Sequence, residues 1–256
     1  MNDLISIKPL CDSDIDFVTE ISREQGFAPG VGDLRIYKNT DKQGLWVGWL
    51  NDKPIGCIAG VRYNHKYGFL GLFIVIEKYR GRGFGLQLWK KALSHLSDLP
   101  CVGLEAAPER IIDYSKWGFT ISSKTTRWQW LGDGKLLEES SKNEYLNDYN
   151  FVEGPLIPQD AVEKFDEKRE TTPRPHFLSN WLNHPSGKVI AVIDKENRCH
   201  GFGRIRPCLL KNGDGWRIGP LMADTPKLSK ILLRKLIDSH PGLIIVDAPG
   251  INKSAS

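Results

Sequence analysis

Apolar and polar positions divide the chain into two series of elements. From Leu4 to Leu10 the side chains alternate like a half-buried strand, and Asp12-Ser13-Asp14 can cap a helix that carries Phe17, Val18 and Ile21. Gln25 to Asp41, rich in glycine and holding a proline, predicts loop or broken helix. LWVGWL and PIGCIAGVRY read as two strands joined at Asn51-Asp52-Lys53. They lead into an almost continuous apolar run, Phe69 to Ile76, whose length suits a buried strand. After the turn Arg80-Gly81-Arg82-Gly83-Phe84-Gly85, Leu86, Trp89, Leu93 and Leu96 recur at steps of three and four, which predicts one apolar face of a helix. A short strand then ends at Pro108 and a helix follows. TTRWQWL, alternating on Trp128 and Trp130, predicts the last strand of the first series, ending near Gly132.

A polar, charged stretch follows, GDGKLLEESSKNEYLN, which suits a linker with a short helical piece. The second series opens at Asn150-Phe151-Val152. It continues with a helix from Pro158 to Lys168, a loop holding Pro173 and Pro175, the paired strands KVIAVID and CHGFGRIRPC, and then WRIGPLMAD. Thr225 and Pro226 open a helix with Leu228, Ile231, Leu232 and Leu236 on one face, and LIIVDAP closes the series. The order strand, strand, strand, helix, strand therefore occurs twice. At 256 residues and 40% hydrophobic content the chain can build two ordinary domains. The predicted division is 1–132, a linker over 133–149, and 150–256.

Charge changes the picture locally. A net +4 is too mild to indicate nucleic-acid binding, yet between Arg62 and Lys91 seven Lys/Arg stand against one acid, Glu77. Glycines leading into a helix start allow close backbone approach to a ligand and leave N–H groups unpaired at the positive end of the dipole. The stretch therefore predicts an anion site suited to polyphosphate. The turn lacks the Gly-Lys-Ser/Thr ending of nucleotide-hydrolysing loops, and its glycines at 81, 83 and 85 miss the dinucleotide spacing.

The remaining residues exclude other classes. No apolar run is long enough to span a membrane, and MNDLISIKPLCDSD is too acidic for a secretory signal, so the chain reads as intracellular and without a membrane partner. The cysteines at 11, 57, 101, 199 and 208 are odd in number and scattered, which argues against a disulfide framework and against zinc. The histidines show no metal spacing, and no metal is expected.

Val75, Arg80, Gly83 and Gly85 fit Arg/Gln-x-x-Gly-x-Gly/Ala preceded by a valine, which resembles the acetyl-coenzyme A signature of the GNAT N-acetyltransferases. Glu77 stands where that signature often has proline. Tyr114, four residues before Gly118-Phe119, resembles the tyrosine that closes the same site, while Ala107 replaces an asparagine common in the family. GFGRIRPC and WRIGPLMAD look like the degenerate second half of tandem-GNAT proteins.

The resemblance implies an α/β fold of α+β type. Each domain would be a mixed, mostly antiparallel sheet flanked by helices, with a splayed central strand pair. Against the family, the second sheet is expected to lack a helix and two strands after Ser256, and a neighbour such as the second chain of a homodimer would cover it. The implied reaction is acetyl transfer from acetyl-CoA to a primary amine of a small molecule or peptide. Backbone N–H groups over Phe73, Ile74 and Val75 would hold the thioester carbonyl and pantetheine, and Arg80, Gly81, Arg82, Gly83, Phe84, Gly85 and Leu86 the pyrophosphate.

Tyr114 is the candidate acid for the departing thiolate, or a half-buried aromatic that fixes its helix. Glu105 and Glu77 are the available carboxylates for a base, or ordinary solvated side chains. The other reading is a non-catalytic acyl-CoA sensor or scaffold.

Overall fold

A computed structural model of the chain describes residues 4–134, 148–170 and 172–250. It divides into two compact units between Ser122 and Ser123. Residues 135–147, most of the expected linker, lie outside the described residues.

The first unit runs β1 (Ser6–Pro9), α1 (Ile15–Glu24), α2 (Asp33–Thr40), β2 (Leu45–Leu50), β3 (Lys53–Arg62), β4 (Tyr67–Val75), α3 (Phe84–Leu96), β5 (Cys101–Leu104) and α4 (Ile111–Ser115). Its five strands lie in sequence order, antiparallel except for the parallel pair β4–β5. Asn51 and Asp52, both at positive φ, make the tight β2–β3 turn that such residues tolerate. Alternation along the strands feeds two cores. On one face Val47, Cys57, Ala59 and Ile74 pack with Val18, Ile21 and Leu34 of α1 and α2. On the other, Trp46, Ile58 and Leu70 pack with Leu88, Trp89, Ala92 and Leu96 of α3.

Two details differ from the sequence pattern. The Gln25–Asp41 stretch includes a proper helix, α2, started by Gly32 in the left-handed region and by the Asp33 carboxylate, which accepts the Gly30 N–H at 3.1 Å. The buried stripe of α3 is Phe84, Leu88, Trp89, Ala92 and Leu96, whereas Leu86 is 45% exposed. Steps of four from the first helical residue set that face, and Leu86 falls off it.

The second unit runs β6 (Thr125–Gly132), β7 (Tyr149–Glu153), α5 (Gln159–Glu170), α6 (Pro175–Leu182), β8 (Lys188–Asp194), β9 (Cys199–Leu209), β10 (Asp214–Ala223), α7 (Pro226–Ile237) and β11 (Gly242–Pro249). The expected proline loop ends at Pro175, which opens α6 at a position where the missing N–H costs nothing. Thr225 caps α7 by accepting the Leu228 N–H at 3.2 Å, and Leu228, Leu232 and Leu236 fill the core beneath. The sheet order is β6-β11-β10-β9-β8-β7, with β10 and β11 parallel.

This order corrects the sequence-based domain division. TTRWQWL does not close the first sheet. It pairs antiparallel with β11 from Thr125↔Pro249 to Gly132↔Gly242, and Arg127 binds Asp247 at 2.7 Å. A full ladder on β11 satisfies more backbone groups than the four-residue β5 offers. It also fills the edge of the second sheet that the sequence left open, so that β11 is an inner strand. No helix among the described residues is long and apolar enough to cross a membrane.

Candidate active site

The site forms where β4 loses both neighbours' regular pairing. On one side β5 accompanies β4 only from Tyr67↔Cys101 to Leu70↔Leu104, leaving a gap beside Gly71 to Val75. On the other side the register with β3 slips: Ala59 faces Gly71, but Cys57 faces Ile74. Leu72 and Phe73 thus stand opposite the single residue Ile58. This is a β-bulge, and Leu72 takes a left-handed φ of 48° to make it.

An inserted residue changes which backbone groups face the gap. Ile76 donates its N–H to Ile55 of β3 at 2.9 Å, so by alternation Ile74 also faces β3, while Phe73 and Val75 point the other way. Upstream of the bulge the even-numbered Leu70 takes that outward direction, and without the insertion Leu72 and Ile74 would follow it. The expected N–H groups of Phe73 and Val75 therefore face the gap, and Ile74 does not. Side chains switch with the backbone, placing Phe73 and Val75 on the α3 side with Leu70. Gly56 permits the close approach, since a Cβ there would meet the Ile74 carbonyl oxygen at 2.3 Å.

Beyond β4 the chain makes a 3-10 turn at Glu77–Tyr79 and enters α3 through the glycines. Gly81 and Gly83 have φ of 76° and 81°, a conformation that alternates with ordinary residues to turn successive N–H groups to one side. The N–H groups of Phe84, Gly85 and Leu86 follow in the first helical turn, where no intrahelical acceptor exists. Gly81 has open space around it. Gly85 serves packing: a Cβ there would lie 3.3 Å from the Phe73 ring and 3.5 Å from Val75.

Arg80 is turned onto the protein. Its Nε donates to the Val75 carbonyl at 2.8 Å and a terminal nitrogen donates to Gln25 Oε1 at 2.9 Å, so it braces the turn against β4 and the end of α1. The Arg82 guanidinium lies over the Phe84 ring at 4.8 Å.

Trp89 of α3 joins the other predicted residues. Its ring lies 5.6 Å from Phe73, 5.3 Å from Tyr114 and 6.0 Å from Phe119. Tyr114 is thereby brought to the side of the gap. It is half-buried, and desolvation pushes its phenol above the ordinary value, with Asp113 adding to the rise and Arg110 opposing it. Glu77 and Glu105 are exposed, and neither hydrogen-bonds Tyr114 among the described residues. Ala107 precedes a 3-10 turn in which its carbonyl accepts from Arg110 at 2.8 Å. Sequence reasoning missed Cys57, Gly56 and Gln25. All three act through residues distant in the chain, and no local pattern marks them.

The matching turn of the second unit has different chemistry. Asp224 is held by Arg169 and by His200 Nδ1, the latter at 2.7 Å. His200 Nε2 reaches Asp194 at 2.9 Å, and Arg198 donates to the same carboxylate at 2.7 Å. A hydrogen-bonded cluster of acidic, basic and histidine side chains thus stands at this turn, where the first unit has glycines.

Comparison with known proteins agrees with this geometry. Residues 15–119 match the model described as acetyltransferase (GNAT) family, and residues 162–256 match one described as acetyltransferase (GNAT) domain. A protein named holothin acyltransferase from Pseudoalteromonas sp. (strain SANK 73390) is 28% identical over 96% of this chain and 79% of its own length. A crystal structure from Pyrococcus horikoshii, a candidate acetyltransferase, superposes with a TM-score of 0.76 at 22% identity, covering 98% of this chain and 82% of that one. A GCN5-related N-acetyltransferase from Kribbella flavida superposes with a TM-score of 0.59 at 14% identity, covering 99% and 66%. These likenesses show the same two-domain fold.

Proposed function

The chain belongs to the GNAT acyltransferases, with two such domains in tandem, and from that premise we propose that its first unit transfers an acetyl group from acetyl-CoA to a primary amine. The acceptor class is a small molecule or a peptide. The observation that carries this reading is the continuity of one row of donors. Phe73 and Val75 N–H groups face the β4–β5 gap, and the glycine turn into α3 takes up where they stop.

Such a row fits an acyl-CoA along its length. The turn residues Gly81 to Leu86 hold the pyrophosphate through N–H groups and the helix dipole, and hydrogen bonds to a charged group contribute roughly 1.5–3 kcal/mol each. The β4 N–H groups bind the pantetheine arm and aim at the thioester oxygen, where negative charge grows as the amine adds. Acetyl-CoA supplies an activated acyl group on a thiolate leaving group. Tyr114, kept protonated by its half-buried position, gives a proton to that thiolate. Arg80 keeps turn and strand in register rather than meeting phosphate itself.

The test is release of free thiol from acetyl-CoA over a panel of amines, polyamines, amino acids and peptide N-termini. Turnover with at least one primary amine is the expected result. The exposed positions of Glu77 and Glu105 favour, as a second reading, a binding protein without turnover. Acetyl-CoA binding with no thiol release across the panel would select it.

A further inference from the structure

Cys57 lies in the middle of β3, buried, beside Ile58, the residue that faces the bulge of β4. At φ 48° Leu72 departs from extended strand geometry and carries the bulge. The Cys57 Sγ donates to the Leu72 carbonyl oxygen at 3.1 Å, a side-chain link from β3 to the inserted residue. Ile74, two residues beyond Leu72, is the register partner of Cys57. The thiol thus holds the residue before Phe73, while the backbone of Cys57 is in register with the residue after it, and Phe73 is the one whose N–H the bulge turns into the gap.

We propose that Cys57 is a positioning residue: its thiol clamps the β4 bulge from beneath and thereby sets the direction of the Phe73 and Val75 N–H groups that receive the acyl-CoA. This inference rests on the acyl-CoA reading of the gap, but the clamp itself has consequences that do not involve a ligand.

The chemistry of the group suits the role. A clamp onto a carbonyl must keep its hydrogen, and burial pushes the Cys57 thiol up to about 12, with the Ile74 N–H pulling the other way. It therefore stays a donor at any working pH and is a poor nucleophile, in keeping with its place behind the sheet rather than in the gap. Size also matters, because the same side chain fills the core between Ile21, Leu45 and Ile74, so that donor and packing roles can be separated by substitution.

The experiment compares Cys57→Val, Cys57→Ala and Cys57→Ser in the full chain. Valine keeps the volume without a donor, and serine keeps a donor in less volume. Amide resonances of Leu72 to Val75 are read by NMR without ligand, and acetyl-CoA affinity by calorimetry. The clamp predicts that valine and alanine displace those resonances and weaken acetyl-CoA binding roughly tenfold, the scale of one lost hydrogen bond. Serine should restore both readings to near the parent. Unmoved resonances in Cys57→Val, or equal loss in the serine and valine proteins, would overturn the clamp and leave Cys57 as packing. If the parent protein binds no acetyl-CoA, the acyl-CoA reading fails, and with it the proposed purpose of the clamp. The resonances would still decide whether Cys57 holds the bulge.

Discussion

At the scale of single residues, Tyr114 and the turn glycines divide the chemistry between proton supply and shape. Burial holds the Tyr114 phenol above its ordinary value near 10, so the acid form is present below that pH and is lost only as pH rises past it. Tyr114→Phe should lower turnover roughly tenfold to a thousandfold with little change in acetyl-CoA affinity, because a general acid contributes in the transition state. Turnover that survives intact would reduce Tyr114 to packing against Trp89. In the parent's pH–rate profile, any alkaline limb due to this phenol belongs above pH 10, and a fall at lower pH reports another group. Gly83→Glu should abolish acetyl-CoA binding in calorimetry, since it places a carboxylate at the helix start and a side chain at φ 81°. Gly85→Glu should do the same and also lower thermal stability, because its Cβ would press on the Phe73 ring. The motif glycines were legible in the sequence, but that one opens the backbone and the other admits a strand's side chains was not. That distinction depends on where Phe73 lies.

At the scale of elements, β6 is tied to its adopted sheet by backbone pairing and by Asp247, which Arg127 and Arg217 both contact, at 2.7 and 2.8 Å. Burial works to raise the Asp247 carboxyl, and the two guanidiniums outweigh it, leaving the group below its ordinary value. With a folded value depressed from near 3.9, its contribution is present at neutral pH and is lost as pH falls through the lower, folded value. Asp247→Asn should destabilise the second unit by about 1 kcal/mol, below the usual range for hydrogen bonds to charge because Arg127 is partly in solvent. Hydrogen exchange over Thr125 to Gly132 should quicken most, and exchange unchanged there would show that backbone pairing alone holds the strand. The alternation of TTRWQWL announced a strand but not its partner. Period-two patterning reports which side chains share a face, whereas the choice of neighbour depends on which edge is long enough to satisfy it.

At the scale of the whole chain, the two halves share an order of elements and differ at one turn. Titration of the full protein should give one equivalent of acetyl-CoA, because Asp224 with its His200 and Arg169 partners occupies the second unit's turn and Pro226 removes an N–H. Two equivalents would overturn the assignment. A chain beginning at residue 133 should be less soluble than one beginning at 123, since it exposes the edge of β11 that β6 covers. The sequence by itself determined the strand–turn–helix at residues 67–96, the repetition of its plan, and the family whose signature it carries. Those features are local: apolar periodicity, glycine spacing and a helix start are written in consecutive residues. Only the tertiary structure decided that an inserted residue at Leu72 turns Phe73 and Val75 toward the gap, that Arg80 braces the turn against β4 and Gln25, and that β6 joins the second sheet. Each of these depends on a partner far along the chain, with β3 setting the bulge, Gln25 taking Arg80 and β11 capturing β6, and no local periodicity encodes such a choice.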